Sequence, residues 1–208
     1  EMLGSSNPYQ ARGRGYTVRE LLQDFERRFD DLAHRPGIEA DLRRTVSHAY
    51  IGLGQPADAR RHALRALELA QGFHDDLEIA AAQFALAEAE FLSGELVEAE
   101  RLHRSALRLR RRHPKAALAL AGSLHSLGRL LQWKGEHQRP GDREEALRLV
   151  REAIGIERKH RDPRDPASST AMRRLSAGLA HAGQFEEAVS LAREVLALRR
   201  AQRGEGHV

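Results

Sequence analysis

The chain has 208 residues, of which 41% are hydrophobic, 31% charged and only 5% aromatic. That is too apolar for a disordered chain, and its core must be built from Ala and Leu, which suits helices packed closely on helices. With no cysteine, disulfides, zinc–thiolate sites and a cysteine nucleophile are excluded, and the net charge of +4 is a mild surplus rather than the basic stripe of a nucleic-acid-binding surface.

In chain order, residues 1–16 are polar and carry Gly13 and Gly15, and read as a linker or extended arm. Thr17 then caps an amphipathic helix predicted over 17–34, with Val18, Leu21, Leu22, Phe25, Phe29 and Leu32 at helical spacing. Its expected role is to cover the open apolar end of the next helix pair; a membrane-surface helix is the alternative. Further helices are predicted at 38–53, 56–71, 75–93, 95–112, 114–134, 141–160, 166–182 and 184–203. Pro56 suits a first helical turn, and the Gly/Pro-rich stretch 136–142 reads as an elongated turn. No apolar stretch approaches the ~20 residues that span a bilayer; the longest are Ile79–Ala87 and Ala116–Ala121. No signal peptide opens the chain, which begins at Glu1 and is expected to be a piece of something longer, located in the cytoplasm.

Four glycines, Gly54, Gly94, Gly135 and Gly183, set a common frame. Seven residues before each is a small residue (Ser47, Ala87, Gly128, Ser176), preceded by an aliphatic one (Val46, Leu86, Leu127, Leu175). After the glycines come Ala59, Ala99, Ala146 and Ala188, and seven residues beyond these Ala66, Ala106, Ala153 and Val195. The frame describes pairs of helices. The aliphatic residue fills the seam, and the small one admits the second helix. The glycine ends the first helix in a left-handed conformation, and the two alanines face back into the seam.

These positions resemble the tetratricopeptide repeat over about residues 38–203, in four units near 38–72, 75–112, 114–160 and 166–203. The resemblance implies an all-α fold, a right-handed superhelical solenoid of antiparallel helix pairs. The glycine spacings exceed the ~34 residues usual for this repeat. They resemble the longer kinesin-light-chain-like variant, as do the junctions Arg110-Arg111-Arg112-His113-Pro114 and His160-Arg161-Asp162-Pro163. Residues 203–208 read as another such junction, from which further repeats are expected. The leading segment (Met2-Leu3-Gly4, Asn7-Pro8, Arg12-Gly13-Arg14, Thr17 to Leu22, then Ile38 to Arg43) is similar to the stretch joining kinase and repeats in large bacterial eukaryotic-like serine/threonine kinases. No kinase motif occurs in these residues.

Nothing in the sequence points to catalysis. The eleven histidines form no His-Glu-x-x-His pair and fall mostly at junctions or on exposed faces. Gly52-x-Gly54 and Gly13-x-Gly15 lack a following Lys-Ser/Thr, and no Gly-x-Ser-x-Gly elbow exists. No cofactor or metal is expected. In repeats of this kind the first helices line a concave groove. The frame places Arg44, His48 and Ile51 there, then Phe84, Glu88 and Phe91, then His125, Arg129 and Gln132, then Arg173, Ala177 and Ala180. This cationic lining with two aromatics suits an acidic or C-terminal-carboxylate peptide with an apolar anchor. The asparagines that hold the peptide backbone in kinesin-light-chain-like repeats are replaced by Thr45, Ala85, Ser126 and Arg174. The expected function is a protein-interaction scaffold, the regulatory or partner-recruiting region of a larger bacterial signalling protein. Self-association into homo-oligomers through exposed repeat ends is the alternative, and a nucleic-acid-binding helical repeat a more distant one.

Overall fold

The computed structural model describes residues 17–203 apart from 33, 135–138, 140 and 163–164, and not the side chains of 30, 166 and 201–203. The arm at 1–16, Gly135, most of the turn at 136–142 and nearly all of the junction at 203–208 lie outside the described residues. Within them the structure is all-α: α1 Val18–Glu26, α2 Pro36–Gly52, α3 Pro56–Phe73, α4 Asp76–Ser93, α5 Leu96–Arg111, α6 Ala117–Trp133, α7 Asp142–His160, α8 Pro166–His181 and α9 Phe185–Arg203. Short 3-10 turns occur at Asp30–Leu32 and Pro114–Ala116.

Helix starts follow local chemistry. Thr17 and Glu20 form a reciprocal capping box, Asp75 accepts from the N–H groups of Leu77 and Glu78, and Asp165 accepts from Ala167. Pro36, Pro56 and Pro166 occupy first turns, where a missing N–H costs nothing. Three first helices end alike. Gly54, Gly94 and Gly183 have φ of 67°, 84° and 78°. The N–H groups of Gln55, Glu95 and Gln184 return to the carbonyls of Tyr50, Glu90 and Leu179, each at 2.9 Å, so orphan carbonyls at the helix ends are satisfied.

The helix expected over 17–34 is corrected by the structure: it ends at Glu26. Arg28, Phe29 and Leu32 then donate to carbonyls three residues back, which tightens the chain into a turn. The turn carries the Phe29 ring to 5% exposure against Val46 and Tyr50. There it meets Phe25 edge-on at 5.6 Å, with the Arg43 guanidinium 4.3 Å above it. Burying an aromatic ring outweighs continuing a short surface helix.

The seam positions are occupied as their sizes require. Ala59, Ala66, Ala99, Ala106, Ala146 and Ala153 are fully buried, and Ala188 and Val195 nearly so. The small residue of the first helix faces the first alanine of the second. Ser47 donates to the Ala59 carbonyl at 2.9 Å and Ser176 to that of Ala188 at 2.8 Å. At Gly128 a Cβ would lie 3.3 Å from the Ala146 carbonyl and 3.3 Å from Val150 Cγ2. Each helix pair packs on the next, and α2, α4, α6 and α8 also touch one another in succession, forming one inner wall. No described helix is long and apolar enough to cross a membrane.

Candidate functional site: a groove along the first helices

The inner wall divides into two stretches. In the first, side chains expected to face a ligand are engaged within the protein. Arg44 pairs with Asp41 and Glu78, and Ile51 is half-buried against the core of the first repeat. His48 lies 6.3 Å from the Phe84 ring. Phe84 is half-buried, meets His103 edge-on at 5.5 Å and carries the Arg110 guanidinium 5.0 Å above its ring. Arg110 itself is only 8% exposed; it donates to the Ala119 carbonyl and the Ser123 hydroxyl, and burial pulls its pKa down to about 10.

Glu88 is the hinge between the stretches. Its carboxylate accepts from Arg129 at 2.7 Å and lies 3.3 Å from Nε2 of the fully buried His103. Burial alone would raise its pKa; His103, Arg129 and Ser126 together hold it at about 2. Arg129 also lies 4.4 Å over the Phe91 ring, so its guanidinium is held from two sides by residues of α4. Glu88 and Arg129 are thus a cross-repeat clamp rather than a free anion and a free cation.

The second stretch is open. A cavity of about 340 Å³ lies between α4, α6 and α8, lined by Phe91, His125, Arg129, Gln132, Trp133, Arg173, Arg174, Ala177, Gly178 and His181. The structure therefore gathers six of the expected groove residues in one place: Phe91, His125, Arg129, Gln132, Arg173 and Ala177. Gln132 donates to the Gly178 carbonyl at 3.0 Å, which fixes α6 against α8. Arg173 and Arg174 are exposed and make no ion pair among the described residues. His125 is half-buried; burial, then the Arg129 and Arg174 charges, push its pKa down to about 4. It is neutral at pH 7, leaving the two free guanidinium groups as the unbalanced charge.

Sequence reasoning missed three features of this region. Trp133, the single tryptophan, is 63% exposed at the cavity rim. It ends α6, and its place in the lining depends on how α6 lies beside α8. Arg174 occupies a position noted for lacking asparagine, and here adds a second free cation. His62 and His103, expected with most histidines at junctions or exposed faces, are instead fully buried. His62 stacks on Tyr50 at 5.7 Å, and its Nε2 lies 2.9 Å from Glu26. Among the described residues no three His, Asp or Glu side chains converge as metal ligands.

Comparison with known proteins places this geometry. Residues 39–112 and 169–208, together just over half of the chain, match the tetratricopeptide repeat family. No curated protein matches the chain. Among solved structures, a putative kinesin light chain with nearly identical tetratricopeptide-like repeats from Podosopora anserina is similar at a TM-score of 0.62 and 21% identity, covering 90% of this chain and 89% of that one. BtubC (BKLC) from P. vanneervenii is similar at a TM-score of 0.67 and 20% identity, over 89% of this chain and 76% of that one. MamA is similar at 0.52 and 18%, over 91% and 99%. These likenesses are of fold.

Proposed function

The chain belongs to the tetratricopeptide repeat family, whose repeats mediate protein–protein interaction, and on that premise we propose that its open groove between α4, α6 and α8 binds an acidic peptide with an apolar anchor. One observation carries this reading: two unpaired arginines, Arg173 and Arg174, stand beside an exposed Trp133 and the Phe91 ring in a single cavity. Guanidinium groups bind carboxylates bidentately, and an exposed indole gives an aliphatic or aromatic side chain a surface to cover. The closed stretch at Arg44, His48, Ile51 and Phe84 supports the groove wall and is not its contact surface. The chain acts as a scaffold rather than an enzyme. The likeness of its leading segment to the kinase–repeat junction of bacterial eukaryotic-like serine/threonine kinases supports placing it in a larger cytoplasmic signalling protein, as the part that recruits partners.

The test uses the chain's own fluorophore. A random peptide library displayed on phage is panned against the chain, and enriched peptides are titrated while Trp133 emission is followed. Peptides rich in Asp or Glu next to a bulky apolar residue are expected, with a saturable emission change. The R173E/R174E double variant should lose affinity at least about tenfold, equivalent to about 1.4 kcal/mol. Arg129 is a poor choice for this test, because reversing its charge would break the Glu88 clamp. Binding that leaves Trp133 emission and R173E/R174E affinity unchanged would overturn the assignment.

A further inference from the structure

The open cavity of the groove is polarised along the helix axes. Its walls carry matching columns at helical spacing: His125, Arg129 and Trp133 on α6, and Arg173, Ala177 and His181 on α8. Residues four apart stand one above the other on a helix face, so each column has an upper, a middle and a lower member. The repeat frame sets the columns level, because Trp133 and His181 stand two residues before Gly135 and Gly183. The upper end is cationic. Arg173 and Arg174 are exposed there without an ion pair among the described residues, and His125 is neutral at pH 7. The lower end is aromatic. Trp133 is 63% exposed, and at the same level His181 is oriented by donating from Nδ1 to the Ala177 carbonyl at 2.8 Å. The middle is closed to acids. Arg129 is answered by Glu88 at 2.7 Å, and Glu88, with its pKa held at about 2, stays ionised at neutral pH and repels a second carboxylate.

The two ends are a fixed distance apart. From His125 to Trp133, as from Arg173 to His181, is eight residues, or about 12 Å of helix axis. A helical ligand about 10 Å across would fill on the order of 900 Å³ over that length, far more than the cavity's 340 Å³. An extended chain fits instead. It advances about 3.3 Å per residue and sends alternate side chains to opposite sides. Two side chains that both face the wall are therefore an even number of residues apart. A separation of two covers only about 7 Å and one of six about 20 Å, so four, at about 13 Å, matches the channel.

We propose that the groove reads a register: of the acidic residues flanking the apolar anchor of an extended peptide, the one four positions away is recognised, with the anchor on Trp133 and the carboxylate on Arg173 and Arg174. The proposal rests on the groove reading above and gives it a spacing. The anchor supplies the buried area, and the arginines select the register, because exposed ion pairs add specificity more than affinity. Residues between anchor and acid meet Ala177 and the Arg129–Glu88 pair, which carries no net charge. The channel lies on the inner wall, so repeats stacked beyond α9 would lengthen that wall and not cover it.

The probes are peptides of Ser and Thr with one Phe and a single Asp, placed in turn at each position from one to eight residues on either side of the Phe. Binding to the isotope-labelled 208-residue chain is followed by nuclear magnetic resonance through the indole N–H of Trp133, the single tryptophan, which reads weak affinities. Affinity should peak at a spacing of four, about fivefold above spacings of three and five, the upper range for an exposed ion pair. R173A/R174A should flatten the profile, since the carboxylate then has no partner. W133A, followed through the Gly178 amide, should flatten it too, since the anchor no longer fixes the frame. All three side chains are exposed, so both variants should keep the fold. A flat profile with the parent chain, or a peak at another spacing such as the eight of a helical ligand, overturns the register while the groove reading stands. A peak at four that survives either variant also overturns it, since those residues would not set the spacing. If no peptide binds, the register and the groove reading fall together.

Discussion

At the residue scale, the chemistry of the groove is set by which charges are answered within the fold. Glu88 answers Arg129, Glu26 accepts from Tyr50 at 2.5 Å, and Lys134 sits buried between Glu100 and Asp142 at 2.9 and 3.2 Å. Arg173 and Arg174 are exposed and make no ion pair among the described residues. His125 reports on the same field. Its pKa in the folded protein, about 4, lies below the ordinary 6.5, so between those values the unfolded chain binds more protons than the folded one. Stability from neutral His125 is therefore full above pH 6.5 and is lost progressively down to about pH 4. His62, pushed down first by burial, acts in the same direction. Glu88, whose pKa is likewise lowered, contributes linkage of the same sign in a lower window, present above 4.5 and lost only as pH falls through about 2. Urea midpoints between pH 7 and 4 should fall with pH, and H125Q should flatten the slope. An H125Q chain with the parental slope would contradict the assignment of His125 to a buried, cation-flanked site.

At the element scale, helix pairing rests on a size constraint at the small position of each first helix. Gly128 shows it most directly, with Ala146 backbone and the fully packed Val150 side chain on one side and Gly178 of α8 on Val150's other side. Alanine at 128 would press on these atoms by a few tenths of an ångström, but replacing a mid-helix glycine recovers up to about 1 kcal/mol of helix propensity. G128A should therefore lie within about 1 kcal/mol of the parent, the two effects offsetting. G128L cannot be accommodated and should destabilise by about 2–3 kcal/mol, read as a lowered denaturation midpoint at unchanged slope. A neutral G128L would mean that α6 and α7 are not in this contact. The helix ends were legible for the same kind of local reason: the capping box at Thr17 and the glycines at 54, 94 and 183 need only neighbours within a few residues. The break after Glu26 was not, because it is decided by where Phe29 finds its partners, Val46, Tyr50 and His62, well along the chain.

At the scale of the whole molecule, the solenoid makes stability a property of neighbours. The middle helices α4 to α7 have packed partners on both sides, whereas among the described residues α1 buries no residue fully and Phe185, Val189 and Leu196 of α9 are exposed. Amide hydrogen exchange should accordingly be slowest in α4–α7 and fastest in α1 and α9. Protection in α9 equal to that in α4 would show that its outer face is covered in solution. The sequence by itself determined the number and pairing of the helices, the alanine seam and which faces turn inward, because these depend on spacing within a repeat, and spacing is written along the chain. Only the tertiary structure decided which inward residues are free. Arg129 meets its carboxylate 41 residues away and Trp133 joins a wall completed by α8, so both depend on how one repeat is set against the next. That setting comes from packing summed over whole helix faces, and no single residue spacing encodes it.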